Sequence, residues 1–138
     1  FEQGAIFNGG TDDVVESASL SLGLTGAVAA NSLHRAQDAP VFELKGVIES
    51  LLSLFACGEV AFTTDAPGWL QAGRCATALL DGRPVAQFGE LSASETSRRK
   101  LRQPVYLSQI DLARLYSLPL RKVTAHELSR FQAVEREF

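Results

Sequence analysis

Apolar residues alternate with small or polar residues along most of this chain, and one stretch has helical spacing instead. Over residues 41–57 the apolar positions recur every three or four residues, which predicts an amphipathic helix. Asp38 suits its N-cap, Pro40 its first turn and Gly58 its end. Gly46 lies inside this helix, where glycine costs about 1 kcal/mol relative to alanine. We therefore expect Gly46 to let another backbone pack close to the helix.

The other patterned segments have a period of two, which is typical of strands. Predicted strands cover 1–7, 19–30, 59–63, 73–80, 83–91 and 104–112, and a short helix is predicted over 111–116. Asp81 and Gly82 predict a two-residue hairpin turn, because a type I′ turn needs positive φ at both positions and glycine adopts it freely. Strands joined by hairpins, with few helices, favour an α+β fold: one domain over 1–138 with a mainly antiparallel sheet flanked by helices.

Length and composition exclude several classes of protein. The 138 residues are 46% hydrophobic and 21% charged, which is ordinary for a globular domain. No apolar run approaches the roughly 20 residues that a membrane helix needs, and there is no secretory signal pattern. The only cysteines, Cys57 and Cys75, are expected to be small buried apolar residues of a reducing, cytoplasmic protein. The chain lacks methionine and opens with Phe1, so we expect a fragment of a longer protein.

Charge is distributed unevenly along the chain. Residues 1–97 hold 4 basic and 12 acidic residues, whereas residues 98–138 hold 9 basic and 4 acidic residues. The densest basic run is Arg98, Arg99, Lys100 and Arg102. Such a run is a candidate nucleic-acid contact, and the alternative is a solvated loop or helix end.

The sequence lacks the motifs of the common catalytic sites. It has no Walker phosphate loop, no Gly-x-Gly-x-x-Gly after a strand and no Gly-x-Ser-x-Gly elbow. His34 and His126 have no neighbouring set of ligands, so no metal site is expected. Cys57 has no activating neighbour, and no pair of carboxylates can be placed together. We therefore assign no residue of this chain a catalytic role.

Short motifs in a fixed order carry more information than any single residue. They are Phe1–Phe7 (FEQGAIF), Phe42–Leu52 (FELKGVIESLL), Gln71–Ala76 (QAGRCA), Phe88–Ala93 (FGELSA), Val105-Tyr106 and Arg130–Glu137 (RFQAVERE). In this order the chain resembles, over essentially its whole length, the C-terminal synthetase-like module of the bacterial phenylalanyl-tRNA synthetase β subunit. The departures are Gln71-Ala72 and Ser92-Ala93 where the family has His-Pro, Gln132 where it has Pro, and Arg136-Glu137 where it has Arg-Asp. Losing proline softens turns more than it removes chemistry.

The resemblance implies a fold and a function. The fold is that of class II aminoacyl-tRNA synthetases, in a copy without catalytic activity. An adenylating class II site needs an arginine on the ATP α-phosphate and a Gly-x-Gly-x-Gly-x-x-Arg strand, and this sequence lacks that strand. The implied role is to scaffold the catalytic α subunit, with tRNA as a candidate second partner, while the whole enzyme uses ATP and Mg²⁺. The alternatives are a free-standing ligand-binding or protein-interaction module derived from that domain and, less favoured, a small hydrolase.

Overall fold

The fold is a six-stranded sheet with helices packed on one face. The computed structural model describes residues 1–9, 14–26, 40–65 and 67–124. In these ranges the strands are β1 (Glu2–Asn8), β2 (Val15–Thr25), β3 (Val60–Thr63), β4 (Leu70–Leu80), β5 (Arg83–Leu91) and β6 (Val105–Asp111). The helices are α1 (Pro40–Leu52), α2 (Ala93–Arg98) and α3 (Leu112–Tyr116). Neighbouring strands are all antiparallel, in the order β1-β2-β6-β5-β4-β3, which confirms the predicted α+β class.

The core lies between α1 and the central strands. Helix α1 crosses β2, β6 and β5, and buries Leu44, Ile48 and Leu52 against them. Phe88 on β5 and Ile110 on β6 are almost completely buried in the same core. Burying each such side chain contributes about 1.5–3 kcal/mol. Helix α3 extends the same core, because Leu112 and Leu115 pack into it.

The hairpin between β4 and β5 is confirmed. Leu80 and Arg83 are paired across it, and the two turn residues have φ values of 51° (Asp81) and 73° (Gly82). Both angles are positive, as a type I′ turn requires. Asparagine and aspartate are the non-glycine residues that tolerate this region best, which is why Asp-Gly is a strong signal in a sequence.

The expectation for Gly46 is wrong. A Cβ added there would meet no atom of the described residues within 4 Å, so none of the described backbone packs closely against the helix at this point. Gly46 follows Leu44 by two residues, about 200° around the helix, so it faces away from the side that Leu44 and Ile48 bury. The carbonyl of Gly46 accepts a hydrogen bond from Ser50 Oγ at 2.8 Å.

Several predicted boundaries shift. Helix α1 ends at Leu52 rather than at Cys57, because the chain tightens into i→i−3 bonds and then forms a bridge from Phe55 to Leu120. Strand β4 starts three residues earlier than expected, at Leu70. Helix α2 was not predicted. The candidate cap Asp38, both histidines, and the motif at 130–137 lie outside the described residues.

Two further expectations bear on the class of protein. Cys57 and Cys75 are unpaired and half-buried, which makes them more exposed than the sequence predicted. Within the described ranges, none of the helices is both long and apolar enough to cross a bilayer.

Candidate functional site

The basic run lies in the connection between β5 and β6, at the end of the sheet opposite the Asp81-Gly82 hairpin. Strand β5 ends at Leu91, Ser92 is the N-cap of α2, and the backbone N–H of Ser92 donates to the Trp69 carbonyl at 2.9 Å. Helix α2 ends at Arg98, with Arg99 as its C-cap. The chain then reverses into β6. We call residues 98–102 the basic turn.

The backbone of the basic turn has the geometry of a Schellman motif. The N–H of Leu101 donates to the Thr96 carbonyl at 3.0 Å, and the N–H of Lys100 donates to the Ser97 carbonyl at 3.1 Å. These two bonds define the motif and satisfy the last carbonyls of the helix. Lys100 has a φ of 55°, the left-handed conformation that glycine usually supplies at this position. A lysine therefore occupies the position that favours glycine most.

The four basic side chains of the turn fall into two pairs. Arg98 and Arg99 both donate to Oε2 of Glu95, at 2.8 Å and 3.3 Å. Lys100 and Arg102 are exposed and form no ion pair with any described residue. The hydrogen bond from Arg98, supported by the charges of Arg98 and Arg99, lowers the pKa of Glu95 below its ordinary value. Glu95 is consequently a carboxylate at neutral pH.

A second ion pair lies at the same end of the sheet, on the side that faces α1. Arg74 on β4 donates to Glu90 on β5 at 2.8 Å, and Glu90 is paired in register with Tyr106 on β6. The hydrogen bond that Arg74 donates to Glu90 raises the pKa of Arg74, while burial raises the pKa of Tyr106. The Arg74–Glu90 pair is internally neutral, so it adds little to the net positive charge of the basic turn.

The face of the sheet opposite α1 and α3 carries a row of polar side chains. One residue from each strand is aligned in direct register across all six strands. The row is Glu2, Ser21, Gln109, Gln87, Thr77 and Thr63. It contains no arginine, and three of its members line an open recess of about 400 Å³ beside the hairpin. In the part of the chain that the structure describes, no three His, Cys, Asp or Glu side chains cluster as metal ligands.

Comparisons with known proteins place the chain in a family. Residues 1–112 match the family model described as "Phenylalanyl tRNA synthetase beta chain CLM domain". The chain belongs to the phenylalanyl-tRNA synthetase beta chain family. It is 30% identical over 148 residues of alignment to the "Phenylalanine--tRNA ligase beta subunit" of Bdellovibrio bacteriovorus, with 99% of this chain and 18% of that protein covered.

A second relative is the protein of the same name from Symbiobacterium thermophilum. It is 33% identical over 125 residues, which cover 88% of this chain and 14% of that protein. The chain thus spans less than a fifth of the length of these phenylalanyl-tRNA synthetase beta subunits. The family resemblance drawn from the ordered motifs is confirmed at this level.

The structure brings the predicted contact residues together and adds one that sequence reasoning missed. Arg98, Arg99, Lys100 and Arg102 share one turn, whereas Asp81 and Gly82 lie at the opposite end of the sheet. The missed residue is Glu95, and its spacing was a usable signal, because residues three and four apart on a helix are neighbours. Ser92 and Glu95 also form the Ser-x-x-Glu pattern that marks a helix start, although the Ser92 side chain makes no cap bond here.

Proposed function

We propose that this chain is the non-catalytic, class II synthetase-like module of a phenylalanine–tRNA ligase β subunit. In the cytoplasm it would scaffold the catalytic α subunit and tRNA during ATP-dependent phenylalanylation of tRNA. The family match over residues 1–112 carries this proposal. The six-stranded antiparallel sheet, with α1 and α3 on one face, is compatible with a class II synthetase fold.

The exposed face of the sheet supports a scaffolding role over a catalytic one. A class II site that activates an amino acid needs arginines over this kind of sheet to hold the ATP phosphates. The polar row offers amide and hydroxyl groups and a single carboxylate, and contains no arginine. Amides and hydroxyls can donate hydrogen bonds to phosphate but carry no positive charge, whereas arginine binds it bidentately with its charge. ATP and Mg²⁺ are therefore assigned to the whole ligase, and no step through them is assigned to this chain.

Phenylalanine-dependent ATP–pyrophosphate exchange tests the assignment. The full chain alone should show no exchange, and the catalytic subunit should supply the activity when the two are combined. Co-purification of the two chains at equal stoichiometry is the expected companion result. Exchange by the chain alone, or failure to co-purify with the catalytic subunit, would contradict the proposal.

The tRNA contact is assigned to the basic turn. It concentrates four positive charges within five residues, against one neighbouring carboxylate. Contacts to phosphates release counterions, so the affinity for tRNA should fall steeply as salt rises. Titration of tRNA against the full chain over a range of salt concentrations measures this dependence. A chain that does not bind tRNA even at low salt has no nucleic-acid role at this turn.

The alternative function is a free-standing ligand-binding or protein-interaction module derived from the same domain. It is favoured by Gln71-Ala72 and Ser92-Ala93, which stand where the family has His-Pro. The chain lacks the two prolines that would make its backbone stiffer at these positions. A gene that encodes this chain without the remainder of a β subunit, together with no affinity for the catalytic subunit, would support this alternative.

A further inference from the structure

The basic turn presents two kinds of cation, and this difference bears on which of them meets a nucleic acid. Arg98 and Arg99 already share a carboxylate partner at 2.8 Å and 3.3 Å, from a glutamate three and four residues earlier. A phosphate that approaches either arginine must compete with that carboxylate. Lys100 and Arg102 face no such competitor among the described residues.

From this geometry we infer that Lys100 and Arg102 make the phosphate contacts of the basic turn, and that Glu95 restrains Arg98 and Arg99 from doing so. The inference rests on the proposed tRNA contact and specifies the residues that make it. Of the four cations in this run, only two are thus available for phosphate contacts in the folded chain.

The backbone conformation of the basic turn supports the distinction between Lys100 and Arg102 on one side and Arg98 and Arg99 on the other. The Schellman bonds from Leu101 and Lys100 hold the reversal in one conformation, and Lys100 is at its left-handed position. The chain beyond it leads into β6, with Arg102 exposed two residues later, no more than about 7 Å further along the chain. Two cations held this close can meet the backbone of a single nucleic-acid strand. Because the turn is ordered before binding, less conformational entropy is lost on contact.

The charge on Glu95 explains why a substitution tests the inference better than a change of pH. The hydrogen bond from Arg98, with the charges of both arginines, lowers its pKa, so a change of pH near neutrality does not alter its charge. Glu95→Gln removes the charge at nearly constant shape. The two arginines are then released without any change to Lys100 or Arg102.

The experiment compares two double variants of the full chain that lose the same charge. Lys100→Ser/Arg102→Ser and Arg98→Ser/Arg99→Ser each remove two positive charges from the same turn. Binding of tRNA is measured by titration over a range of salt concentrations, with thermal unfolding to verify that each variant is folded. Each phosphate contact contributes about 0.7–0.9 to the slope of log K against log salt. The first variant should therefore reduce the slope by about 1.4–1.8, and the second by less than half of that.

Glu95→Gln gives a test in the opposite direction. It should tighten binding and steepen the slope, since it releases Arg98 and Arg99. Glu49→Gln on α1 is the matched control. Glu49, like Glu95, is ion-paired, in this case with Lys45, and its substitution changes the total charge by the same amount. Tighter binding with Glu95→Gln but not with Glu49→Gln supports the inference.

The outcomes separate this inference from the function on which it rests. Equal losses in the two double variants would mean that the turn acts only through its total charge, whatever the effect of Glu95→Gln. That result overturns the inference and leaves the proposed tRNA contact intact. Failure of the unsubstituted chain to bind tRNA overturns both.

Discussion

The two ends of the sheet each reverse the chain through a non-glycine residue with positive φ, and they do so in different ways. At the hairpin end Asp81 has a φ of 51° and is followed by Gly82, so the residue types match what a type I′ turn requires. At the other end Lys100 has a φ of 55° in a Schellman motif, where glycine is the usual choice. The first turn is well suited to folding, whereas the second keeps a charge at some conformational cost. A residue retained against the local preference is a reason to look for function there.

The largest loss of stability is expected at Gly89 on β5, near the end of the sheet that carries the basic turn. Gly89 on β5 has no room for a Cβ, which would lie 2.5 Å from the backbone carbonyl oxygen of Arg74 and from Cys75. Gly89→Ala should lower the free energy of unfolding by about 3 kcal/mol or more, because backbone atoms cannot move aside cheaply. Chemical denaturation measures the loss.

Gly4→Ala on β1 is the control for Gly89→Ala, since a Cβ there meets nothing within 4 Å. It should change stability by less than about 0.5 kcal/mol. Equal effects at the two positions would show that β4 and β5 do not approach as closely as the structure has them.

A smaller loss is expected at the hairpin. Gly82→Val places a β-branched residue at a φ of 73°, in open space, so only the backbone conformation is penalised. The cost should be about 1–2 kcal/mol, measured by denaturation. Asp81→Asn is the control and should be nearly neutral, because asparagine suits the same turn. A neutral Gly82→Val would mean that the turn is not of the predicted type.

A glycine substitution in the basic turn should raise stability, in contrast to the substitutions above. Lys100→Gly relieves the left-handed strain of roughly 1–2 kcal/mol, offset by about 0.5–1 kcal/mol of extra unfolded-state entropy for glycine. A net gain of up to about 1.5 kcal/mol in stability is expected, together with weaker tRNA binding.

Arg102→Gly is the control for Lys100→Gly, because it removes the same charge at a position without positive φ. It should weaken tRNA binding without any gain in stability. If Lys100→Gly destabilises the chain, then the lysine is not retained there at a conformational cost, and the contrast between the two turns disappears.

The smallest effect on stability is expected in helix α1. Gly46→Ala on α1 should raise stability by about 0.5–1 kcal/mol, since the site is open and alanine is the better helix former. For a chain of this size that corresponds to a rise in Tm of roughly 2–4 °C. A fall in Tm would restore the expectation that another backbone packs against Gly46.

Local patterns of residues predicted the elements that depend on local chemistry. The period-two segments became strands, the 3.6-residue repeat became α1, and Asp81-Gly82 became a hairpin turn. The ordered motifs predicted the family without any structure. In each case the deciding interactions lie within a few residues along the chain, so they can be recognised in the sequence. Helix α2 was missed because its signal, a Ser-x-x-Glu start over only six residues, is short and carries no apolar repeat.

Only the tertiary structure decided which residues meet across the sheet. The strand order inserts β6 between β2 and β5, and this alone aligns one polar side chain from each strand on the face opposite α1 and α3. It also decided that Gly46 faces away from the core and that Gly89 is pressed against β4. These outcomes depend on pairings between residues far apart in the chain, where no local preference distinguishes one register from another. The sequence by itself determined the elements, the hairpin, the family and the spacing that pairs Glu95 with Arg98 and Arg99. The fold determined which strands are neighbours and which residues meet across them.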